Sequence, residues 1–222
     1  MDDHSPQTLV EAVYAQLRQD IIRGRLAPDS KLRMSDLRER YNVGASPLRE
    51  ALNRLMSGGL VAAIGQKGFH VPPLSHAELL DLTETRILIE TEALRQSIAA
   101  GDDAWESSVE GAFHALRKIE LAPDSDSEER EKRNRAFHMA LVSACPLKKL
   151  VSIFGTLYDQ HERYRAAAFR LNRTDREVHR EHKKICEAAL TRDADLATNA
   201  ARDHVLVTAQ LIEAEMRRVP LA

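Results

Sequence analysis

Residues 46–71 read SPLREALNRLMSGGLVAAIGQKGFHV, and this run decides the architecture. Ser46 suits a helix N-cap and Pro47 the first helical position. Leu48, Ala51, Leu52 and Leu55 recur at helical spacing on one face, which leaves Arg49, Asn53 and Arg54 on or near the other. Gly58 and Gly59 stop the helix. Residues 60–64 form a short apolar strand, Gly65-Gln66-Lys67-Gly68 a hairpin turn, and residues 69–71 the return. A helix whose outer face carries Arg and Asn, followed by a ribbon tipped with Lys, has a shape that enters a DNA groove and grips the flanking backbone.

Working outward from this run, residues 8–23 carry an apolar stripe of Leu9, Val13, Leu17, Ile21 and Ile22, the mark of an amphipathic helix. Ser35 is placed to cap a second helix over 36–41, and Asn42-Val43-Gly44 turns the chain into the third. Two short helices joined by such a turn make a helix-turn-helix, and the first helix and the ribbon make it winged. Downstream, Val71-Pro72-Pro73-Leu74 is a stiff connector, and Ser75 with Glu78 forms a capping box that opens a new helix. Strand signals then vanish. Helical periodicity runs over 75–100, 103–119, 127–144, 147–170, 174–192 and 194–217, punctuated by Gly101, Pro123 and Pro146. The acidic, Ser-rich stretch 122–129 reads as an exposed loop. The expectation is a mainly α protein: a winged helix-turn-helix over 1–74 for DNA, then an all-α helical bundle over 75–222 for an effector and for dimerisation.

The 222-residue chain has a net charge of only −2, but the sign is uneven: residues 1–74 hold 10 Lys+Arg against 8 Asp+Glu, and 75–222 hold 22 against 26. A local basic surface, not a basic protein, would make the DNA contact. No apolar run approaches the ~20 residues of a membrane span. Residues 1–7 are acidic and polar, unlike a secretory leader, so a cytoplasmic location is expected. Cys145 and Cys186 lack partners at metal spacing and read as reduced structural thiols.

The run LRMSDLRERYNVGASPLREALNRLMSGGLVAAIGQKGFHV, residues 32–71, resembles the winged helix of the GntR transcription regulators. The helical remainder is similar to the FCD ligand-binding domain of their FadR-type branch. KLRM at 31–34, the RY–G–PLREAL run, QKG at 66–68, ELLD at 78–81 and GDD–W at 101–105 narrow the likeness to regulators of short-dicarboxylate catabolism within that branch. The resemblance implies a homodimeric repressor of organic-acid catabolism genes that binds a double-stranded operator and answers to a small organic acid, most plainly a dicarboxylate such as glutarate.

For DNA, Arg49 on the recognition helix could hold a phosphate or read guanine bidentately. Ser35 and Ser46 could take phosphates at helix N-termini or serve only as caps. Arg33, Gln66, Lys67 and Gly68 are the next candidates. Many relatives carry Arg where Ala45 stands here, so the usual operator of the family is not implied.

For sensing, His138, His182 and His204 sit on three different expected helices, and Asn134 lies one turn before His138. Any one of these alone reads as an ordinary core or surface histidine. Converging, an Asn and three His could hold a divalent metal with positions left open. The resemblance implies that they do: Asn134-x-x-Phe137-His138, Glu181-His182 and Asp203-His204 match the FCD metal motif. The first ligand in that motif is often Asp, so Asn134 offers a neutral oxygen instead. Zinc or nickel suits such imidazoles best. Arg86 and Glu90 lie one turn apart and read as a surface ion pair, or, as the resemblance implies, Arg86 faces the effector pocket and clamps a carboxylate with its fork. Arg163 and Arg165 are further effector candidates on the fourth helix of the bundle, or its solvated side.

Two other classes remain open at this point. A metal-dependent enzyme fused to a DNA-binding module would need a general base, a nucleophile motif or a Gly-rich phosphate loop, and none is placed by motif. An architectural DNA binder whose bundle only dimerises would need neither metal nor effector.

Overall fold

The computed structural model describes residues 8–65, 68–122, 126–168 and 177–218. Gln66 and Lys67 of the expected wing turn, Pro123 of the expected loop and the expected helical residues 169–170 and 174–176 lie outside them. The described residues fall into two compact units: 8–79 with 159–168 and 212–218, and 80–158 with 177–211.

The first unit is built on α1 (Leu9–Ile22), α2 (Met34–Tyr41) and α3 (Ala45–Ser57). Thr8 opens α1 with a full capping box: its hydroxyl accepts from the Glu11 N–H, and the Glu11 carboxylate accepts from the Thr8 N–H. Val13, Leu17, Ile21 and Ile22 are buried, whereas Leu9, expected in the same stripe, is exposed. Asn42 in the left-handed region (φ 50°) closes α2, a conformation Asn adopts more readily than most residues. Leu48, Ala51, Leu52 and Leu55 of α3 are fully buried, as their spacing predicts.

Both expected caps are displaced. α3 begins two residues early, so Gly44 is the N-cap and Ser46 and Pro47 lie inside the first turn, where a missing N–H costs nothing. α2 likewise starts at Met34 after Arg33, and the Ser35 hydroxyl donates to Asp36 Oδ1 instead of capping.

Three two-residue strands complete this unit: β1 (Lys31–Leu32), β2 (Ala62–Ala63) and β3 (Phe69–His70). They pair antiparallel in the order β1-β3-β2, with His70 opposite both Lys31 and Ala62. The apolar run 60–64 thus supplies only two ladder residues, while Leu60 and Val61 are buried in the core. The segment 159–168 belongs here too. Arg18 of α1 makes a bidentate pair with Asp159 at 2.6 Å, and Gln160 donates to the Gly58 carbonyl at the end of α3.

The helical elements are α4 (His76–Ala100), α5 (Asp103–Glu120), α6 (Ser127–Val142), α7 (Lys148–Ala168), α8 (Val178–Leu190) and α9 (Ala194–Arg218). The Ser75 hydroxyl accepts from the Glu78 N–H, but the Glu78 carboxylate turns to the Tyr164 hydroxyl, so only half the expected capping box forms. α4 ends just before Gly101, where a Cβ would lie 2.3 Å from the Trp105 ring, so a side chain there would force a shift. The Trp105 indole donates to the Ala140 carbonyl within a core that includes Leu94, Val109, Phe137, Phe154 and Ile185. Cys145 and Cys186 are buried free thiols, and burial pushes Cys186 up to about 12. Among the described residues, no helix is long and apolar enough to cross a membrane.

Candidate metal and carboxylate centre

His138 comes from α6, His182 from α8 and His204 from α9, and all three are buried. Their candidate ligand nitrogens lie within 4.8 Å of one another, and the His182 and His204 ring centroids are 4.6 Å apart. Each ring is held from behind by a carboxylate. Nδ1 of His138 meets Glu90 Oε1 at 2.8 Å, that of His182 meets Glu120 Oε1 at 2.7 Å, and that of His204 meets Glu181 Oε2 at 2.8 Å. An ionised carboxylate only accepts, so Nδ1 is the protonated nitrogen and Nε2 carries the lone pair. This is the arrangement that fixes tautomer and ring orientation in metal-ligating histidines.

The remaining polar atoms agree with it. Nε2 of His138 and of His182 is buried without a hydrogen-bond partner, and so is Asn134 Oδ1, whose own Nδ2 donates to the Tyr158 hydroxyl at 2.8 Å. Orphaned buried acceptors are costly and rare, and the imidazole nitrogens, which lie close together, ask for a cation. Imidazole nitrogens with one neutral oxygen form a donor set that fits a divalent transition metal. Burial lowers His138 to about 4 against the pull of Glu90, so the ring is neutral and ready to ligate.

Arg86 and Glu90 are a buried pair, not the surface pair that their spacing alone suggests. Both are almost fully buried, and Arg86 Nε donates to Glu90 Oε2 at 2.8 Å. Burial would raise the Glu90 carboxyl, but Arg86 and His138 outweigh it and hold it at about 2. The guanidinium stacks 4.8 Å from the Tyr158 ring centroid, and its Nη2 is left without a partner. A buried, unpaired guanidinium N–H is a donor for an anion. Arg163 and Arg165 are placed in the other unit. Arg163 donates to the Pro73 carbonyl, and Arg165 lies 3.3 Å from His161 Nδ1.

In the first unit, the exposed face of α3 presents a groove lined by Ala45, Ser46, Arg49, Glu50 and Asn53. Arg33 and Ser35 are exposed at the start of α2. Gly68 has φ 140°, in the range that favours glycine, and the Ile64 N–H donates to its carbonyl to close the wing. Glu50 and Asn53, outside the expected contact set, share the groove with Arg49.

The family model for the FCD domain matches residues 81–206, and that for the bacterial regulatory proteins of the gntR family matches residues 9–71. The chain belongs to the GntR family. Its members and relatives are transcription regulators, not enzymes, and FCD domains commonly bind a metal. The chain is 41% identical over 203 residues to the HTH-type transcriptional regulator BphR of Paraburkholderia xenovorans, covering 90% of this chain and 83% of that one. It is 37% identical over 209 residues to the HTH-type transcriptional repressor GlaR of Escherichia coli, covering 91% and 95%. The solved structure of E. coli McbR/YncC shares the fold, with a TM-score of 0.81 at 18% identity over 93% of this chain and 98% of that one.

Within this GntR regulator, Glu90, Glu120 and Glu181 are the residues that reading the sequence leaves unassigned as histidine supports. Only Glu181, next to His182 in the chain, carries a positional hint. Glu90 and Glu120 reach the histidines from α4 and α5, and no spacing rule links them to their partners.

Proposed function

We propose that this GntR regulator is a homodimeric repressor whose helical domain, residues 75–222, binds a small organic acid beside a divalent metal and thereby changes how residues 1–74 hold an operator. The observation that carries the reading is the group of buried, unpartnered polar atoms: two imidazole Nε2 atoms, one amide oxygen and one guanidinium nitrogen. Three of these suit a cation and the fourth an anion. His138, His182 and His204 with Asn134 would hold zinc or nickel, which would supply an electrophilic docking point for one carboxylate oxygen. Arg86 Nη2 would donate to the acid, and Tyr158 stacks against its guanidinium and holds Asn134 in place. A short dicarboxylate such as glutarate would offer one carboxylate to the metal and the other to Arg86, and the sequence likeness to regulators of dicarboxylate catabolism points the same way. The similarity to GlaR, a repressor, supports the sign of the regulation.

On the DNA side, Arg49 would read a base edge or a phosphate, with Arg33, Ser35, Ser46 and the wing residues Gln66, Lys67 and Gly68 on the backbone. With Ala45 in place of an Arg, Asn53 and Glu50 are the further groups on that groove able to face bases. An effector acts only through different affinities for the DNA-competent and DNA-incompetent states.

A panel of C4–C6 dicarboxylates tested by thermal shift on metal-loaded and chelator-stripped protein checks the reading. A ligand at 100 times its dissociation constant adds ~2.7 kcal/mol to stability. A rise in melting temperature that requires both metal and acid is expected; no response to any metal would contradict it.

A further inference from the structure

Glu90, one of the carboxylates behind the histidines, joins a histidine to an arginine. Its Oε1 accepts from Nδ1 of His138, and its Oε2 accepts from Nε of Arg86, both at 2.8 Å. Each of those partners carries a second, unsatisfied atom: Nε2 on His138 and Nη2 on Arg86. Glu120 differs. It holds His182 at 2.7 Å and faces His179 at 3.6 Å, with no arginine on it among the described residues.

We propose that Glu90 is a positioning residue that makes metal binding and organic-acid binding cooperative, by fixing the His138 ring and the Arg86 fork with the two oxygens of one carboxylate. The inference rests on the proposed metal and Arg86 roles. Its physical basis is the absence of slack. Arg86 and Glu90 sit one turn apart on α4, the guanidinium is bracketed by Tyr158 at 4.8 Å and Phe154 at 6.0 Å, and Glu90 is 2% exposed. In a close-packed interior, a small movement of one member is passed to the next and not absorbed. A ligated His138 draws its Nδ1–H and Glu90 into one fixed geometry. Glu90 then holds Arg86 Nε so that Nη2 is the donor offered to the acid. Whichever ligand binds first sets the position of the carboxylate, and through it the partner that the second ligand meets. By linkage, each ligand raises the affinity of the other by the same factor.

The test measures the zinc dissociation constant with a chromophoric chelator as competitor, with and without saturating succinate, glutarate or adipate, in the full-length protein. The ratio of the two constants is the coupling factor, and about 5–150-fold is the ordinary range for coupled sites. The variants are Glu90→Gln, which keeps an acceptor for His138 but turns a neutral amide to Arg86, and Glu90→Asp, which keeps the charge but is too short to span both partners. Glu120→Gln is the control, because it loosens a histidine without touching the arginine. The expected result is a coupling factor at least fivefold smaller in both Glu90 variants, with circular dichroism unchanged. Glu120→Gln should weaken zinc, within the 10–100-fold usual for such supports, and keep the wild-type factor. Wild-type coupling in both Glu90 variants, or an equal loss in Glu120→Gln, overturns the proposal. So does a wild-type factor of one when both ligands bind, which also removes the metal as a docking point for the acid. Failure of wild type to bind zinc, or to bind any of the three acids, overturns the proposed function and this inference together.

Discussion

The exposed face of α3 and the histidine centre use the same residue types under opposite conditions. On α3, Arg49 and Asn53 stand in water on a helix whose stability comes from the buried Leu48, Ala51, Leu52 and Leu55 on its other side. In the centre, Arg86, Glu90 and His138 are the packing. A surface arginine is free to be exchanged as recognition demands. A buried arginine is tied to its carboxylate, and the carboxylate to a histidine, so function and folding there cannot be changed separately.

The largest effect that separates the two regions is on stability. Replacing Arg86 by Ala leaves the Glu90 charge buried without its cation and should cost about 3–5 kcal/mol. Replacing Arg49 by Ala should cost less than ~0.5 kcal/mol. Denaturant unfolding of the two variants side by side gives both numbers, and equal losses would break the contrast.

A pH titration sharpens it next. His138 titrates at about 4 in the folded protein, below the roughly 6.5 of an unfolded histidine. The unfolded chain therefore takes up the proton first as acid is added. The contribution of His138 is present in full above about pH 6.5 and is lost as the pH falls towards about 4. Chelator-stripped protein should lose stability through that window, and His138→Leu should flatten the loss; an unchanged slope would show that His138 is not held neutral by its surroundings.

On the DNA side, Arg49→Ala should weaken binding to an operator obtained by in vitro selection by roughly 1–3 kcal/mol, with relaxed preference at one base position if the contact is to guanine. A uniform loss across sequences, with a shallower salt dependence, would make Arg49 a phosphate contact instead. The smallest effect is expected at Asn134. Its replacement by Asp would add a charge to the donor set and should tighten zinc while leaving the melting temperature of the stripped protein within a few degrees. Unchanged zinc affinity would remove Asn134 from the ligand set.

The two regions also differ in how far the sequence announces them. The helices of the bundle follow from apolar periodicity and from Gly101 and Pro146, and each helix end in the structure falls within a few residues of where that pattern breaks, where it is described. The strands are harder to read, because two-residue strands carry too little alternation, and β1 pairs with β3 across 36 intervening residues or more. Ser35 and Ser46 show why cap residues mislead by two positions: a serine is as tolerable inside a first helical turn as before it. His138, His182 and His204 could be named in advance, but their approach to within 4.8 Å is a property of three packed helices that no spacing expresses. Arg86 and Glu90 were the least legible. An i,i+4 Arg–Glu pair on a surface and one in a core have the same spelling, and only the packing of Tyr158 and Phe154 around it tells them apart.

The central claim is that metal and acid are sensed together. Calorimetric titration of a C4–C6 dicarboxylate into zinc-loaded and zinc-stripped protein tests it most directly. The account predicts saturable binding to the loaded protein and at least fivefold weaker binding, or none, to the stripped one. Equal affinity for the two forms would contradict it and would leave the histidine centre as a structural element of the bundle.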